Sequence, residues 1–305
     1  MIMKIANDVT ELIGHTPLVK LNKIGSGISA EIIAKLESFN PLSSIKDRTA
    51  YGMVRDAEKR GVLKKGGVII EASSGNTGIG LALQAVVRGY QLKIVMPETA
   101  SNERKKILQL LGAEIILTPA ALAMAGALKQ AEELAAAEPK AVILNQFKNK
   151  ANPEIHRQTT GPEIWQDTEG RADILISGVG TGGTITGITE FIKNKKPGFR
   201  IVAVEPAGSA VLSGEEKGTH GLEGIGAGFV PEVLRTDLID EIIKVGDEDA
   251  VSMVKRLARE EGILAGPSGG AAVWAAVKVA GREENSGKMI IVILPDSGER
   301  YLSSE

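Results

Sequence analysis

Lys46 stands where an amine could do chemistry. It lies in Asn40-Pro41-Leu42-Ser43-Ser44-Ile45-Lys46-Asp47-Arg48, between small polar residues and the start of a helix-periodic run. The helix macrodipole favours acidic groups in a first turn, so a lysine there needs another reason. A solvated surface charge is one such reason. The other is an amine held beside a carbonyl cofactor and kept partly neutral, able to form a Schiff base. The stretch by itself leaves both open.

Four further turns, each at the end of an apolar run or the start of a helix, carry glycines and hydroxyls. In Ser73-Ser74-Gly75-Asn76-Thr77-Gly78 the backbone N–H groups and hydroxyls converge at a helix N-terminus. That suits a carboxylate or a phosphate, and equally an ordinary N-cap with a tight turn. The segment Ser177-Gly178-Val179-Gly180-Thr181-Gly182-Gly183-Thr184 matches G-x-G-x-x-G at Gly178, Gly180 and Gly183, and Glu205 follows at the end of the next apolar run. Taken alone, this pattern favours a dinucleotide fold with a ribose-binding acid, hence an NAD-dependent dehydrogenase. Thr181 and Thr184 flank the glycine pair, however, and two hydroxyls suit the several oxygens of a terminal phosphate, so a monophosphate cofactor outweighs a dinucleotide. A third turn, Gly266-Pro267-Ser268-Gly269-Gly270, puts the Ser268 hydroxyl at a helix start, where an N-cap is its plain reading. The fourth is Pro295-Asp296-Ser297-Gly298-Glu299-Arg300.

The elements that must position these turns are visible as short apolar runs at 32–36, 68–72, 92–96, 114–117, 141–144, 173–177, 200–204, 242–245 and 289–294. Most are apolar on both faces, as strands buried between helices are. Helix-period stretches alternate with them, at 46–60 ended by Gly61, 76–88 ended by Gly89, 120–137, 184–195 and 271–279. Such alternation predicts parallel strands joined by right-handed crossovers, an open α/β architecture with ligands at the carboxyl ends of the strands. Two domains are expected for 305 residues, with a connection near 145–153.

Composition excludes several alternatives. There is no cysteine, so disulfides, thiolate nucleophiles and thiolate metal sites are impossible. The three histidines, His15, His156 and His220, are far apart and read as structural, and no metal site is expected. A net charge of -2 without a long basic block gives no footprint for nucleic acid or membrane. No apolar run approaches the roughly 20 residues of a membrane span, and the N-terminus lacks a signal-peptide pattern. A cytoplasmic protein acting on a small molecule is expected.

Taken together, these stretches resemble the cysteine synthases (O-acetylserine sulfhydrylases), pyridoxal-phosphate (PLP) enzymes of the tryptophan-synthase β-like fold. The resemblance rests on Gly14-His15-Thr16-Pro17-Leu18-Val19, Ser44-Ile45-Lys46-Asp47-Arg48, the Ser73 to Gly78 turn, Met96-Pro97-Glu98-Thr99, Thr160-Gly161-Pro162-Glu163-Ile164, the Gly178 to Thr184 turn, Gly224-Ile225-Gly226-Ala227-Gly228-Phe229, Glu261-Gly262-Ile263 and Ser297-Gly298-Glu299-Arg300-Tyr301-Leu302. It implies two open twisted α/β sheet domains: a smaller mobile one at 38–148 that closes through the carboxylate loop, and a larger one formed by 1–37 with 149–305. It also implies that Lys46 binds pyridoxal 5'-phosphate as a Schiff base and later moves the substrate α-proton. Gly180, Thr181, Gly182, Gly183 and Thr184 would hold the phosphate, Asn76 the ring oxygen and Ser268 the pyridine nitrogen. Ser73, Ser74, Gly75, Thr77, Gln146 and Gly224 would meet the substrate. The implied reaction is β-replacement, O-acetyl-L-serine and sulfide giving L-cysteine and acetate through an α-aminoacrylate. Cystathionine β-synthase and O-phosphoserine sulfhydrylase share most of these residues and remain alternatives, with a serine or threonine dehydratase and a dehydrogenase further off. A homodimer and binding of the serine acetyltransferase C-terminal tail are implied as well.

Overall fold

The computed structural model describes residues 5–302. Among them are ten strands and nine α-helices, which divide into two compact units.

The first unit contains residues 5–13 and Asn40–Ala151. Its sheet has the order β5-β4-β3-β6, formed by Glu114–Thr118, Gln91–Pro97, Val68–Ala72 and Ala141–Val142, and every pairing is parallel. β3 is buried along its whole length, as expected of a strand covered on both faces. On one side Ile69 and Ile94 pack with residues of α1 (Lys46–Lys59) and α2 (Asn76–Arg88), and on the other Val68, Ile70 and Val95 pack with Ala127 and Ala131 of α4 (Ala123–Ala137). Each fully buried Ile or Val contributes about 1.5–3 kcal/mol. Helix α2 ends where the sequence predicts, with Gly89 left-handed at φ 74°. Residues 5–13 belong to this unit, because the 3-10 helix Val9–Leu12 packs on α2, whereas the sequence reading grouped 1–37 with the larger domain.

The second unit contains Gly14–Phe39 and residues 152–302. Its six-stranded sheet has the order β1-β2-β10-β7-β8-β9, from Leu18–Lys20, Glu31–Leu36, Met289–Leu294, Ile174–Gly178, Arg200–Pro206 and Glu241–Val245. All pairings are parallel except β1 with β2, which is antiparallel. This adds one antiparallel edge to the parallel strands expected: β1 is a three-residue edge strand with exposed positions, too short to stand out as an apolar run. β10 is the buried centre, and α9 (Pro267–Ala280) covers it with small residues. A Cβ on Gly270 would lie 2.4 Å from the Ala250 carbonyl oxygen of α8 (Asp247–Arg256), so glycine is what lets these two helices approach so closely.

Candidate functional site

Lys46 is the first residue of α1 and is half-buried. The turn before it is tight: Ser43 is left-handed at φ 55°, its N–H donates to the Asn40 carbonyl at 2.8 Å, and the Asp47 carboxylate accepts from the Leu42 N–H at 2.7 Å. Asp47 thereby supplies the acid the helix start favours, while Lys46 stands against the dipole. Helix α2 packs directly on this first turn. A Cβ on Gly80 would lie 2.8 Å from the Lys46 carbonyl oxygen. A glycine inside a helix costs roughly 1 kcal/mol against alanine, and here the close approach to the turn carrying Lys46 accounts for it.

The turn from Ser73 to Thr77 joins β3 to α2 within the same unit. Ser73 Oγ accepts from the N–H of Gly78 at 3.2 Å, so this buried serine ties the turn together. Ser74, Gly75 and Asn76 are half-buried, and a Cβ on Gly75 would meet nothing within 4 Å, so the open side of the turn is at Gly75. The Thr77 hydroxyl donates to Gln146 Oε1 at 2.5 Å, joining two residues the sequence reading assigned to one substrate group.

Gln146 is held in turn by a residue the sequence reading passed over. The Glu71 carboxylate, buried in β3, accepts from three successive backbone N–H groups, those of Leu144 (3.0 Å), Asn145 (3.0 Å) and Gln146 (3.3 Å). Asn145 is left-handed at φ 52°, a conformation asparagine tolerates better than most residues. This shortens β6. The run 141–144 was expected to be a strand, but pairing with β3 stops at Val142 because the next amides turn to Glu71. Burial pushes the Glu71 carboxyl up to about 7, against the pull of the three amides. The signal in the sequence was an acid inside the apolar run Val68-Ile69-Ile70-Glu71-Ala72.

In the second unit, Gly178 ends β7 and α7 begins at Gly183 (Gly183–Lys193), with Gly182 left-handed at φ 82° before it. The glycines here are required by contact. A Cβ on Gly180 would lie 2.2 Å from the Gly224 carbonyl oxygen, and one on Gly183 would lie 2.0 Å from Asn152 Oδ1. Thr181 Oγ1 accepts from the amide of the fully buried Asn152 at 2.9 Å and from the Gly183 N–H at 3.4 Å. The Thr184 hydroxyl lies 3.3 Å from Nε2 of buried His156, whose Nδ1 is 2.9 Å from the Thr160 hydroxyl. Asn152 sits in a stretch that reads in sequence only as a polar connection, so nothing marked it.

Ser268 is buried and is the second residue of α9, where Gly266 occupies the cap, so the N-cap reading does not hold. A Cβ on Gly224, which is left-handed at φ 91°, would lie 3.8 Å from Ser268 Oγ. Gly180, Gly224 and Ser268 are thus brought together in this unit. Glu205 does not serve as a ribose acid: its buried carboxylate accepts from the N–H groups of Leu212 (2.8 Å) and Ser213 (3.0 Å) and from the Ser213 hydroxyl (2.6 Å), which holds the segment after β8. Among the described residues no group of acidic or histidine side chains could hold a metal ion, and no helix is long and apolar enough to cross a membrane.

Known proteins agree over nearly the whole chain. Cysteine synthase A of Escherichia coli (strain K12) is 54% identical over 310 residues, covering 99% of this chain and 95% of that protein. Cysteine synthase of Staphylococcus aureus is 48% identical over 309 residues, covering 100% of this chain and 98% of the relative. The crystal structure of cysteine synthase from Entamoeba histolytica superposes with a TM-score of 0.97 at 45% identity, covering 99% of this chain and 90% of the other. The two-sheet α/β architecture is therefore that of the tryptophan-synthase β-like PLP enzymes. The family profile described as "Pyridoxal-phosphate dependent enzyme" matches residues 9–296, and with this span and these identities the chain belongs to the pyridoxal-phosphate dependent enzymes.

Proposed function

We propose that the chain is an O-acetylserine sulfhydrylase, replacing the acetoxy group of O-acetyl-L-serine by sulfide to give L-cysteine and acetate. The observation that carries the reading is the uncharged cradle at the start of α7, with buried, uncharged Ser268 near the same Gly224 that presses on it. Its donors are amides and hydroxyls at a helix N-terminus, a set that fits a phosphate monoester. The glycines let this turn pack closely against the Gly224 carbonyl and the Asn152 side chain, which fixes its shape. Full-length similarity to cysteine synthases supports the substrate assignment.

In this reading Gly180, Thr181, Gly182, Gly183 and Thr184 hold the cofactor phosphate, and the Asn76 amide holds its ring oxygen. Bound pyridoxal phosphate supplies an electron sink next to the substrate α-carbon. The Lys46 amine anchors the cofactor at rest and, once substrate has displaced it, carries the α-proton. Its place in the first turn of a helix braced by Gly80 restricts where its stem can start. Ser73, Ser74, Gly75, Thr77 and Gln146 receive the substrate carboxylate, with Gly224 beside the substrate. Ser268 offers the pyridine nitrogen a hydroxyl and no charge, which weakens the electron sink and favours elimination of a β-leaving group over transamination. The cleaved bond is Cβ–O, released as acetate; the bond formed is Cβ–S. The resemblance further supports a cytoplasmic homodimer that binds the C-terminal tail of serine acetyltransferase.

The test is chemical. Borohydride reduction of the holoenzyme fixes a pyridoxyl group on the peptide carrying Lys46, detected by mass spectrometry, and O-acetyl-L-serine with sulfide yields L-cysteine. A colourless protein that binds a nicotinamide dinucleotide overturns the assignment. Product formation from O-phosphoserine or serine, with none from O-acetylserine, overturns the substrate.

A further inference from the structure

Glu71 has no part in the chemistry proposed above, yet it occupies a position that packing alone would give to an apolar residue. Its neighbours in β3 are Val68, Ile69, Ile70 and Ala72, all buried. A carboxylate there carries a desolvation cost that valine or isoleucine would not. An apolar side chain would also leave the amides of 144–146 available to continue the ladder of β6 along β3. The acid instead gathers three consecutive N–H groups, an anion nest folded around a side chain. The product of that arrangement is the placement of Gln146. Its backbone is fixed by Glu71, and its amide oxygen accepts from the Thr77 hydroxyl at the start of α2.

We propose that Glu71 is a positioning residue for the substrate α-carboxylate, fixing Gln146 against Thr77 through the three amides so that the strength of carboxylate binding depends on it. This rests on the reading in which Gln146 and the Ser73 to Thr77 turn receive that carboxylate.

Two amines separate carboxylate recognition from general damage. L-Alanine has the α-carboxylate and no leaving group, and ethylamine is the same molecule without the carboxylate. Both are titrated into holoenzyme, and the absorbance of the bound cofactor reports binding without turnover. Glu71→Gln keeps the size but turns an NH2 end toward at least one backbone N–H, and if about half of the lost charge-assisted bond falls on the bound state, L-alanine binding weakens about tenfold. The expected result is that loss for L-alanine, with the binding of ethylamine, which lacks the carboxylate, unchanged. Glu71→Asp, which keeps the charge on a shorter stem, recovers part of the loss, and it carries the same two titrations if Glu71→Gln yields no folded holoenzyme. Equal weakening of both amines, or no weakening of L-alanine, overturns the proposal. Gln146→Ala is the separate control: if it leaves L-alanine binding intact, the carboxylate assignment itself fails, whereas weakening in Gln146→Ala without weakening at Glu71 sinks only the role of Glu71.

Discussion

Gly183→Ala tests the phosphate cradle most directly. The added Cβ would lie 2.0 Å from Oδ1, 2.4 Å from Cγ and 2.7 Å from Nδ2 of Asn152. Asn152 is fully buried and cannot swing into solvent, so either its side chain or the first turn of α7 must shift. Overpacking of this kind costs about 1–3 kcal/mol. Displacing Asn152 also breaks its 2.9 Å bond to Thr181 Oγ1, and an orphaned buried polar group costs about 1–3 kcal/mol more. Part of that total falls on the free protein, and the rest appears when the cofactor requires the cradle in its native shape. If about 2 kcal/mol appears there, affinity for pyridoxal phosphate falls roughly 30-fold. The assay is titration of apoprotein with the cofactor, followed by absorbance, beside thermal unfolding of the same apoprotein. Gly198→Ala is the control, because a Cβ there meets nothing within 4 Å. Wild-type cofactor affinity in Gly183→Ala refutes the assignment of this turn to the phosphate, even if the apoprotein melts earlier.

Gly80→Ala drives a methyl toward the carbonyl oxygen of Lys46, 2.8 Å from where its Cβ must sit, so catalytic turnover is expected to fall more than cofactor binding; equal losses would point to unfolding. Lys35 is fully buried and donates to the Thr16 carbonyl at 2.6 Å and to Glu163 at 2.8 Å, so Lys35→Ala lowers unfolding stability in urea by about 3 kcal/mol, the low end for breaking a buried pair because Glu163 keeps its bond from the His15 N–H. A change under 1 kcal/mol, about that of a surface pair, would show that the pair does not matter. For Glu71 the sign follows from burial raising its carboxyl from 4.5 to about 7: the folded chain binds the proton more tightly, so its contribution is full below the lower value and is lost as pH rises to the upper one. The loss amounts to about 3 kcal/mol across that window, and Glu71→Gln removes it; a wild-type stability profile that is flat or rising over the same window, once the other titrating groups are cancelled by subtracting the variant, contradicts this.

Every strand except β1 could be read from sequence as a short apolar run, including β5 and β9 with their exposed positions, and the signal is strongest where both faces are covered. β3 and β10 are buried throughout, and a short continuous run of Val, Ile and Leu between turn residues favours a strand covered on both faces. β1 could not be read, because a three-residue edge strand with exposed positions owes its pairing to β2 and not to its own pattern. The same division runs through the candidate site. Glycines and hydroxyls at strand ends announce themselves locally, which is why Ser73 to Thr77 and Gly180 to Thr184 stand out in the sequence as candidates. Asn152 and Glu71 act on amides and hydroxyls far along the chain, Asn152 on Thr181 and Glu71 on 144–146, and a polar residue says nothing of such partners until the fold brings them together.

Lys46 shows how these two kinds of residue combine. Its own neighbours account for the tight turn that precedes it, through the left-handed Ser43 and the Asp47 carboxylate. They do not account for that turn staying in place, which depends on a glycine in the next helix pressed onto the Lys46 carbonyl. A reactive side chain can be recognised from a motif, but its aim is set by backbone contacts made elsewhere. Substitutions at small, unreactive positions such as Gly80 and Gly183 should therefore damage this enzyme about as severely as changes to many of the hydroxyls proposed to bind its ligands.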